Sequence, residues 1–298
     1  SIYQKFGFFF STMIQLPFLL LKRQIKKNLI KKHNQKFHQY ITELEKKNTS
    51  NKSILFFPEL PNYNAALGIV FRSMVYKIHN NPKTHSNLAI SWEDTTYKKV
   101  IDKLPENTWN LKCTDISKTK VDEVFKSVFS YSTQLNPETH KGKILEKIEL
   151  NGHHNAKIIE APLKPKKGYI YQKIINNQEG KYLFEDIRPV VIKDNIPFCY
   201  LNYRLKGKRF SNKKYKALLV KTLDVLSEDE IEKIILFCKK LGVDYCEMDA
   251  LRDRDNGKLY IIDVNTTAFG PANGLWFEDK VKALKMYQET IDRYIDHS

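Results

Sequence analysis

Residues 247–271 read EMDALRDRDNGKLYIIDVNTTAFGP, and their carboxylates recur at a spacing that could carry chemistry. Side chains alternate between the two faces of an extended strand, so Glu247 and Asp249 share one face while Cys246, Met248 and Ala250 take the other. On the next strand Asp263 and Asn265 share a face, with Ile262 and Val264 behind them. A turn over Asp255-Asn256-Gly257, with Gly257 supplying a positive φ, sets residue 254 opposite 258. That register brings Asp249 opposite Asp263 and Glu247 opposite Asn265.

Two unit charges about 4 Å apart repel by about 4 kcal/mol at an effective dielectric near 20, so opposed carboxylates call for a cation. Hard oxygen ligands of this kind suit Mg²⁺, which takes one or two carboxylates and completes its shell with phosphate oxygens and water. Asn265 adds a neutral carbonyl oxygen without adding charge. The same alternation also fits a solvent-exposed strand pair salt-bridged by Arg252, Arg254 or Lys258. The aliphatic back faces, the matched register and the trailing Thr266-Thr267-Ala268-Phe269-Gly270-Pro271 favour the metal.

This segment resembles the last two strands of the ATP-grasp superfamily, with an Asp on the first strand, an acid-x-Asn on the second and a Thr/Pro/Gly-containing loop after them. The resemblance implies Asp249, Asp263 and Asn265 as magnesium ligands and Glu247 as a group facing substrate or metal. Further elements fall in the family's order from about Asp115 to Pro271. Lys118, in DISK, is similar to the first ATP-binding lysine, and Lys147 to the second. Tyr171-Gln172-Lys173-Ile174-Ile175 resembles the hinge strand whose backbone pairs with adenine. Arg188 and Arg204, on the hairpin that follows, are in the place of a phosphate-binding cation, with Arg209 competing for the role; an arginine fork binds oxyanions bidentately. The loop Asn151-Gly152-His153-His154 departs from the family, being poorer in Gly and Ser than the loops that close over phosphates.

The resemblance implies an α/β (α+β) ATP-grasp fold: two α+β subdomains gripping a nucleotide, preceded by a small α/β domain and an N-terminal basic helix. It implies ATP and Mg²⁺ as cofactors, with Mn²⁺ as a substitute. The expected reaction is ligation of a carboxylate to an amine or similar nucleophile through an acyl phosphate. Catalysis of that type rests on positioning and charge neutralisation, so it needs no covalent nucleophile. A kinase phosphorylating a small molecule or saccharide is the second reading, and a non-catalytic nucleotide-binding protein at a membrane surface the third.

The elements that must position these groups can be read from periodicity. Short strands alternating with helices from Ser53 onward mark an α/β texture. Strands are expected over 53–60, 87–94, 142–150, 156–162 and 168–176. A hairpin is expected over 186–210, turning at Asp194 and Asn195. Helical periodicity runs from Ala65 to Ile78 and again over 115–129, where Asp115 or Ser117 caps. Ser227-Glu228-Asp229-Glu230 is a capping box opening a helix that Gly242 closes, and a last amphipathic helix starts near Glu278. These boundaries divide the chain into a basic amphipathic helical segment (1–50), a preceding α/β domain (51–114), a small subdomain (115–180) and a C-terminal subdomain (181–298).

The 298 residues carry 50 Lys plus Arg against 34 Asp plus Glu, a formal charge of +16 that favours anionic partners. No aromatic-interleaved signature, zinc knuckle or helix-turn-helix accompanies that charge, which argues against nucleic acid. Four scattered cysteines without a CxxC pair argue against a zinc site or a disulfide framework, and fit a reducing cytoplasm. Residues 6–21 (FGFFFSTMIQLPFLLL), interrupted by Gln15 and Pro17 and followed by a basic stretch, are short for a spanning helix. Residues 1–32 therefore suit peripheral contact with a membrane, which would be its inner face, or docking on their own domain.

Overall fold

The computed structural model describes residues 28–47, 49–101, 104–153, 156–211 and 214–295. A helix, α1, covers 28–47. It is followed by β1 (Ser53–Pro58), α2 (Ala66–Ser73), β2 (Lys77–His79) and β3 (Leu88–Trp92). The three strands form a parallel sheet in the order β2-β1-β3. Every residue of β3 is buried, which is why its sequence reads as a nearly unbroken apolar run. The helix expected over Ala65–Ile78 stops at Ser73. Val75 takes a φ of 58°, and Lys77–His79 leave the helical path to pair with β1 as an edge strand. Backbone pairing along the sheet thus overrides a helical period that continues in the side chains.

The middle of the chain holds α3 (Lys118–Phe129), β4 (Gly142–Ile148), β5 (Lys157–Ala161) and β6 (Tyr169–Gln172). Ser117 caps α3 by accepting from the Lys120 N–H, while Asp115 accepts from the Ser117 N–H. The strands form a small antiparallel sheet in the order β5-β4-β6. β6 ends sooner than the expected 168–176, because the Lys173 N–H turns to the Thr133 carbonyl instead of to a strand.

The largest sheet comprises β7 (Gln178–Glu179), β8 (Leu183–Ile192), β9 (Asn195–Leu205), β10 (Lys216–Val220), β11 (Tyr245–Arg252) and β12 (Leu259–Asn265). Between β10 and β11 runs α4 (Glu228–Leu241), and α5 (Phe277–Ile295) closes the described chain. The strand order is β10-β9-β8-β11-β12, all antiparallel, with β7 paired on β8. The capping box at Ser227 and Glu230 forms in full, and Gly242 ends α4 in the left-handed region at φ 75°.

Both faces of this sheet are covered. Ile187, Val191, Cys246 and Met248 pack on α3 and α4 from one side. Val190, Phe198, Tyr200 and Tyr245 face the other, where they share a core with α1, the parallel sheet and α5. Tyr287 and Ile291 of α5 are fully buried there, each such side chain contributing roughly 1.5–3 kcal/mol. Asn110 joins the parallel-sheet region to β11: its amide oxygen accepts from the Asp244 and Tyr245 N–H groups and its amide nitrogen donates to the Tyr245 carbonyl.

All four cysteines are buried thiols. Among the described residues no helix is long and apolar enough to cross a membrane. The apolar segment at 6–21 lies outside the described residues.

Candidate functional site

Asp249 and Asp263 are register partners on β11 and β12, and Glu247 is partnered with Asn265. The route to that register differs from the expected one. Arg252 pairs with Leu259, so the turn spans 253–258, and a bulge between Asp249 and Ala250 then shifts the pairing by one residue. The bulge also turns Ile262 out of the expected back face, and it lines the same cleft as Asp263.

That cleft, of about 990 Å³ counting its open mouth, lies between the small sheet and the large one. Its lining combines the apolar side chains of Leu145, Ala156, Ile175, Phe210, Leu251 and Ile262 with Lys118, Lys147, Arg204 and Arg209 and with the carboxylates of Asp249 and Asp263. Such a lining suits a ligand with a flat apolar part and an anionic part.

Each cation is held differently. Lys118, at the first position of α3, donates to the Leu150 carbonyl at 2.6 Å and to Asn151 at 3.3 Å, and so holds the turn after β4. Burial pushes the Lys147 ammonium down to about 8, against the pull of Asp263. Arg204 is ion-paired with Asp186 and donates to the Ser211 carbonyl at 3.0 Å. Arg209 donates to the Ile175 carbonyl and to Asn177, and stacks over Phe184 at 4.4 Å.

The acids are no less constrained. Burial, reinforced by the neighbouring Asp249 charge, raises Asp263 to about 6, even though Lys118, Lys147 and Arg188 favour its ionised form. Arg188 lies 2.9 Å from Glu247 and 3.3 Å from Asp249. Burial works against the Arg188 charge, yet Asp249 and Glu247 more than offset it. The far side of Glu247 accepts a hydrogen bond from Tyr287 of α5 at 2.7 Å. Glu247 is thus a buried anchor for Arg188, 1 % exposed, beside the cleft rather than on its lining.

Among the described residues no group of three or more His, Cys, Asp and Glu side chains is disposed to hold a metal. A pair of carboxylates plus the Asn265 amide oxygen is instead the sparse oxygen set that Mg²⁺ uses when a phosphate supplies the remaining ligands. The raised Asp263 fits this, since a carboxylate kept from ionising by burial and a like charge is one that a divalent cation would restore.

Lys118, Lys147, Gln172, Lys173, Ile175 and Arg204 thus share one cleft with Asp249 and Asp263, whereas Arg188, Glu247 and Asn265 adjoin it. Ile174 is half-buried and outside the lining. Gln172 is fixed by donating to Thr133, which in turn donates to Asp122 on α3. The Lys173 ammonium is engaged by Asp253 and Tyr260, each at 2.9 Å. Gly152 and His153 line the cleft, and His154 lies outside the described residues.

Sequence reasoning missed the apolar lining residues Leu145, Ala156, Phe210 and Leu251, and Lys214 beside the cleft. Leu145 was within reach of it, since it is two residues from Lys147 on one strand face. Lys214 stands in a basic run that gives no signal of its own. Burial and the nearby Arg188 charge bring its ammonium down to about 8.

No protein-family model matches the chain, and no curated protein sequence matches it. Solved structures similar to it are ATP-grasp ligases. The ATP-grasp ligase PsnB complexed with minimal precursor is 12% identical, with a TM-score of 0.48 over 79% of this chain and 99% of that one. The PsnB structure with minimal precursor, Mg and ADP is 14% identical, with a TM-score of 0.40 over 59% of this chain and 62% of that one. The D-alanine–D-alanine ligase from Bacillus anthracis complexed with ATP is 13% identical, with a TM-score of 0.47 over 83% of this chain and 98% of that one.

Proposed function

We propose that this protein is an ATP-grasp enzyme that binds Mg²⁺-ATP in the cleft and joins a carboxylate to an amine or similar nucleophile. The observation that carries the proposal is the opposition of Asp249 and Asp263 in a cleft lined by both cationic and apolar side chains. The apolar part of the lining suits the adenine base, with Gln172, Lys173 and Ile175 in the same cleft. Lys118, Lys147, Arg204 and Arg209 suit the phosphates, the lysines as point charges and the arginines as forks. Asp249, Asp263 and Asn265 would hold Mg²⁺, which when bound supplies a positive charge shared between the carboxylates and phosphate oxygens.

In the reaction proposed, an oxygen of the substrate carboxylate takes the γ-phosphoryl group and ADP leaves. The nucleophile then attacks the acyl carbon, and inorganic phosphate and a proton depart as the new bond forms. The protein's own groups act by alignment and charge neutralisation. Arg188, locked between Glu247 and Asp249, is placed to steady the transferring phosphoryl group or the acid beside it.

The test is calorimetric titration of ATP with and without Mg²⁺, on the wild type and Asp263→Ala, followed by ADP release with paired acids and amines. Mg²⁺-dependent binding that Asp263→Ala weakens, and turnover requiring both acid and amine, support a ligase. ADP release with a hydroxyl acceptor and no acid would make it a kinase, and nucleotide binding without any turnover would make it a binding protein.

A further inference from the structure

A cluster of polar side chains on β9, before β10 and on α5 adjoins the cleft beside Arg188. Tyr200, Asn202 and Arg204 alternate along β9 and so share one face, and Asn202 is paired in register with Ala217 of β10. Asn202 is 1 % exposed, yet neither end of its side-chain amide has a hydrogen-bond partner. Buried amides are almost always satisfied, so this one has donor and acceptor capacity left for a water or a ligand. The loop after β12 runs alongside: a Cβ added to Gly274 would lie 2.7 Å from the Ala217 nitrogen, so the backbones touch there. The Thr266 hydroxyl at the start of that loop is also buried without a partner.

Two lysines belong to the same cluster. Lys280 of α5, 2 % exposed, reaches the Pro271 carbonyl of the same loop at 3.1 Å, and no carboxylate among the described residues is within ion-pair distance of it. Lys214, just ahead of β10, has no hydrogen-bond or ion-pair partner among the described residues, and its charge is felt at Lys280. By contrast Arg188 and Arg204 already face Glu247, Asp249 and Asp186. Lys214 feels the charges of Asp249 and Glu247, and Asp186 is the register partner of Asn202, but all three acids are ion-paired with Arg188 or Arg204, so neither ammonium group has an ion-pair partner among the described residues.

We propose that this cluster binds a second oxyanion of the substrate, a carboxylate or a phosphate, in addition to the carboxylate that is activated. The inference rests on the ligase reading and names its substrate class as a dianionic acid. Lys214 and Lys280 supply the charge, and the Asn202 amide nitrogen supplies a directed donor. The loop carrying Pro271 closes one side.

Binding to the full-length protein is measured by calorimetry with malonate, succinate and glutarate, with butyrate as the monoanion and 3-phosphonopropionate as the phosphorus analogue. The best dianion is expected to bind about tenfold tighter than butyrate, the size of one charge-assisted hydrogen bond. That advantage is expected to vanish in Lys214→Met and in Asn202→Leu, with folding checked by circular dichroism. Whether a dicarboxylate or the phosphonate binds tighter identifies the oxyanion. Equal binding of butyrate and the dianions, no binding of any dianion, or an advantage kept in a folded Lys214→Met variant overturns the proposal. Absence of Mg²⁺-dependent ATP binding would instead overturn the ligase reading, and is measured separately without any acid present.

Discussion

Asp249 and Asp263 face each other across β11 and β12, and a bulge beside Asp249 sets the register that makes them partners. Carboxylates in that relation resist simultaneous ionisation, and the cleft concentrates the penalty on Asp263, which is raised to about 6.

Stability should therefore depend on pH in a defined sense. The folded carboxyl of Asp263 binds its proton more tightly than the unfolded one, so between about pH 4 and pH 6 the native state holds the extra proton and stability falls as pH rises. Above pH 6 the penalty is complete, on the order of 2 kcal/mol after allowance for the open mouth of the cleft. Melting temperature measured against pH should decline through this window in the wild type and stay flatter in Asp263→Asn. Mg²⁺ with nucleotide should remove the decline, and chelation should restore it.

Lys147 gives a second pH signature. Its ammonium is lowered to about 8 by burial, so the charge offered to a phosphate is lost as pH rises through that value. Nucleotide affinity should fall by about tenfold between pH 7 and pH 9, an interaction of about 1.4 kcal/mol. In Lys147→Met affinity should start low and lose most of this dependence, Lys214 lying on the other side of Arg188. Fluorescent-nucleotide titrations at fixed ionic strength read both effects.

The chain from Tyr287 through Glu247 and Arg188 to Asp249 makes Arg188 a structural as well as a chemical element. Arg188→Met leaves Glu247 buried beside Asp249 with its main counter-charge gone, a loss of about 3–5 kcal/mol. Adding Glu247→Gln should recover part of that, because the amide needs no cation. Urea denaturation of the two single variants and the double variant measures the coupling. Independent, additive losses would show that Glu247 does not anchor Arg188.

Much of this site was legible because strand alternation and pairing are local rules. The opposition of residues 249 and 263 follows from alternation, a turn at Gly257 and a single count along two strands. The count came out right by a different path: a wider turn and a bulge displaced it in opposite senses, and neither is encoded by a distinctive residue. The capping box at Ser227 was legible for the same local reason, since cap and helix are separated by three residues. The end of α2 was not, because Lys77–His79 become a strand only through β1, more than twenty residues away. Lys214 and Asn202 were invisible because their significance lies in what fails to contact them.

Asn110 offers the sharpest test of how the metal strand is held in place. It sits at φ 58°, a left-handed conformation that Asn tolerates better than most residues, and it is fully buried. Its side chain satisfies the Asp244 and Tyr245 N–H groups and the Tyr245 carbonyl, while its own N–H donates to Asp244 at 2.7 Å. Asn110→Ala removes a buried carboxamide, strands three backbone groups at the entry to β11, and places a less tolerant residue in the left-handed region. The expected cost is roughly 3 kcal/mol, large for a residue that touches no ligand. Because β11 carries Glu247 and Asp249, Mg²⁺-dependent nucleotide affinity should weaken in the same variant even where it remains folded. Hydrogen exchange should locate the change: faster exchange of the Asp244 and Tyr245 amides, with α4 left protected, is the expected pattern. Uniform loss of protection across the large sheet would mean that Asn110 supports global stability and does not set the position of β11.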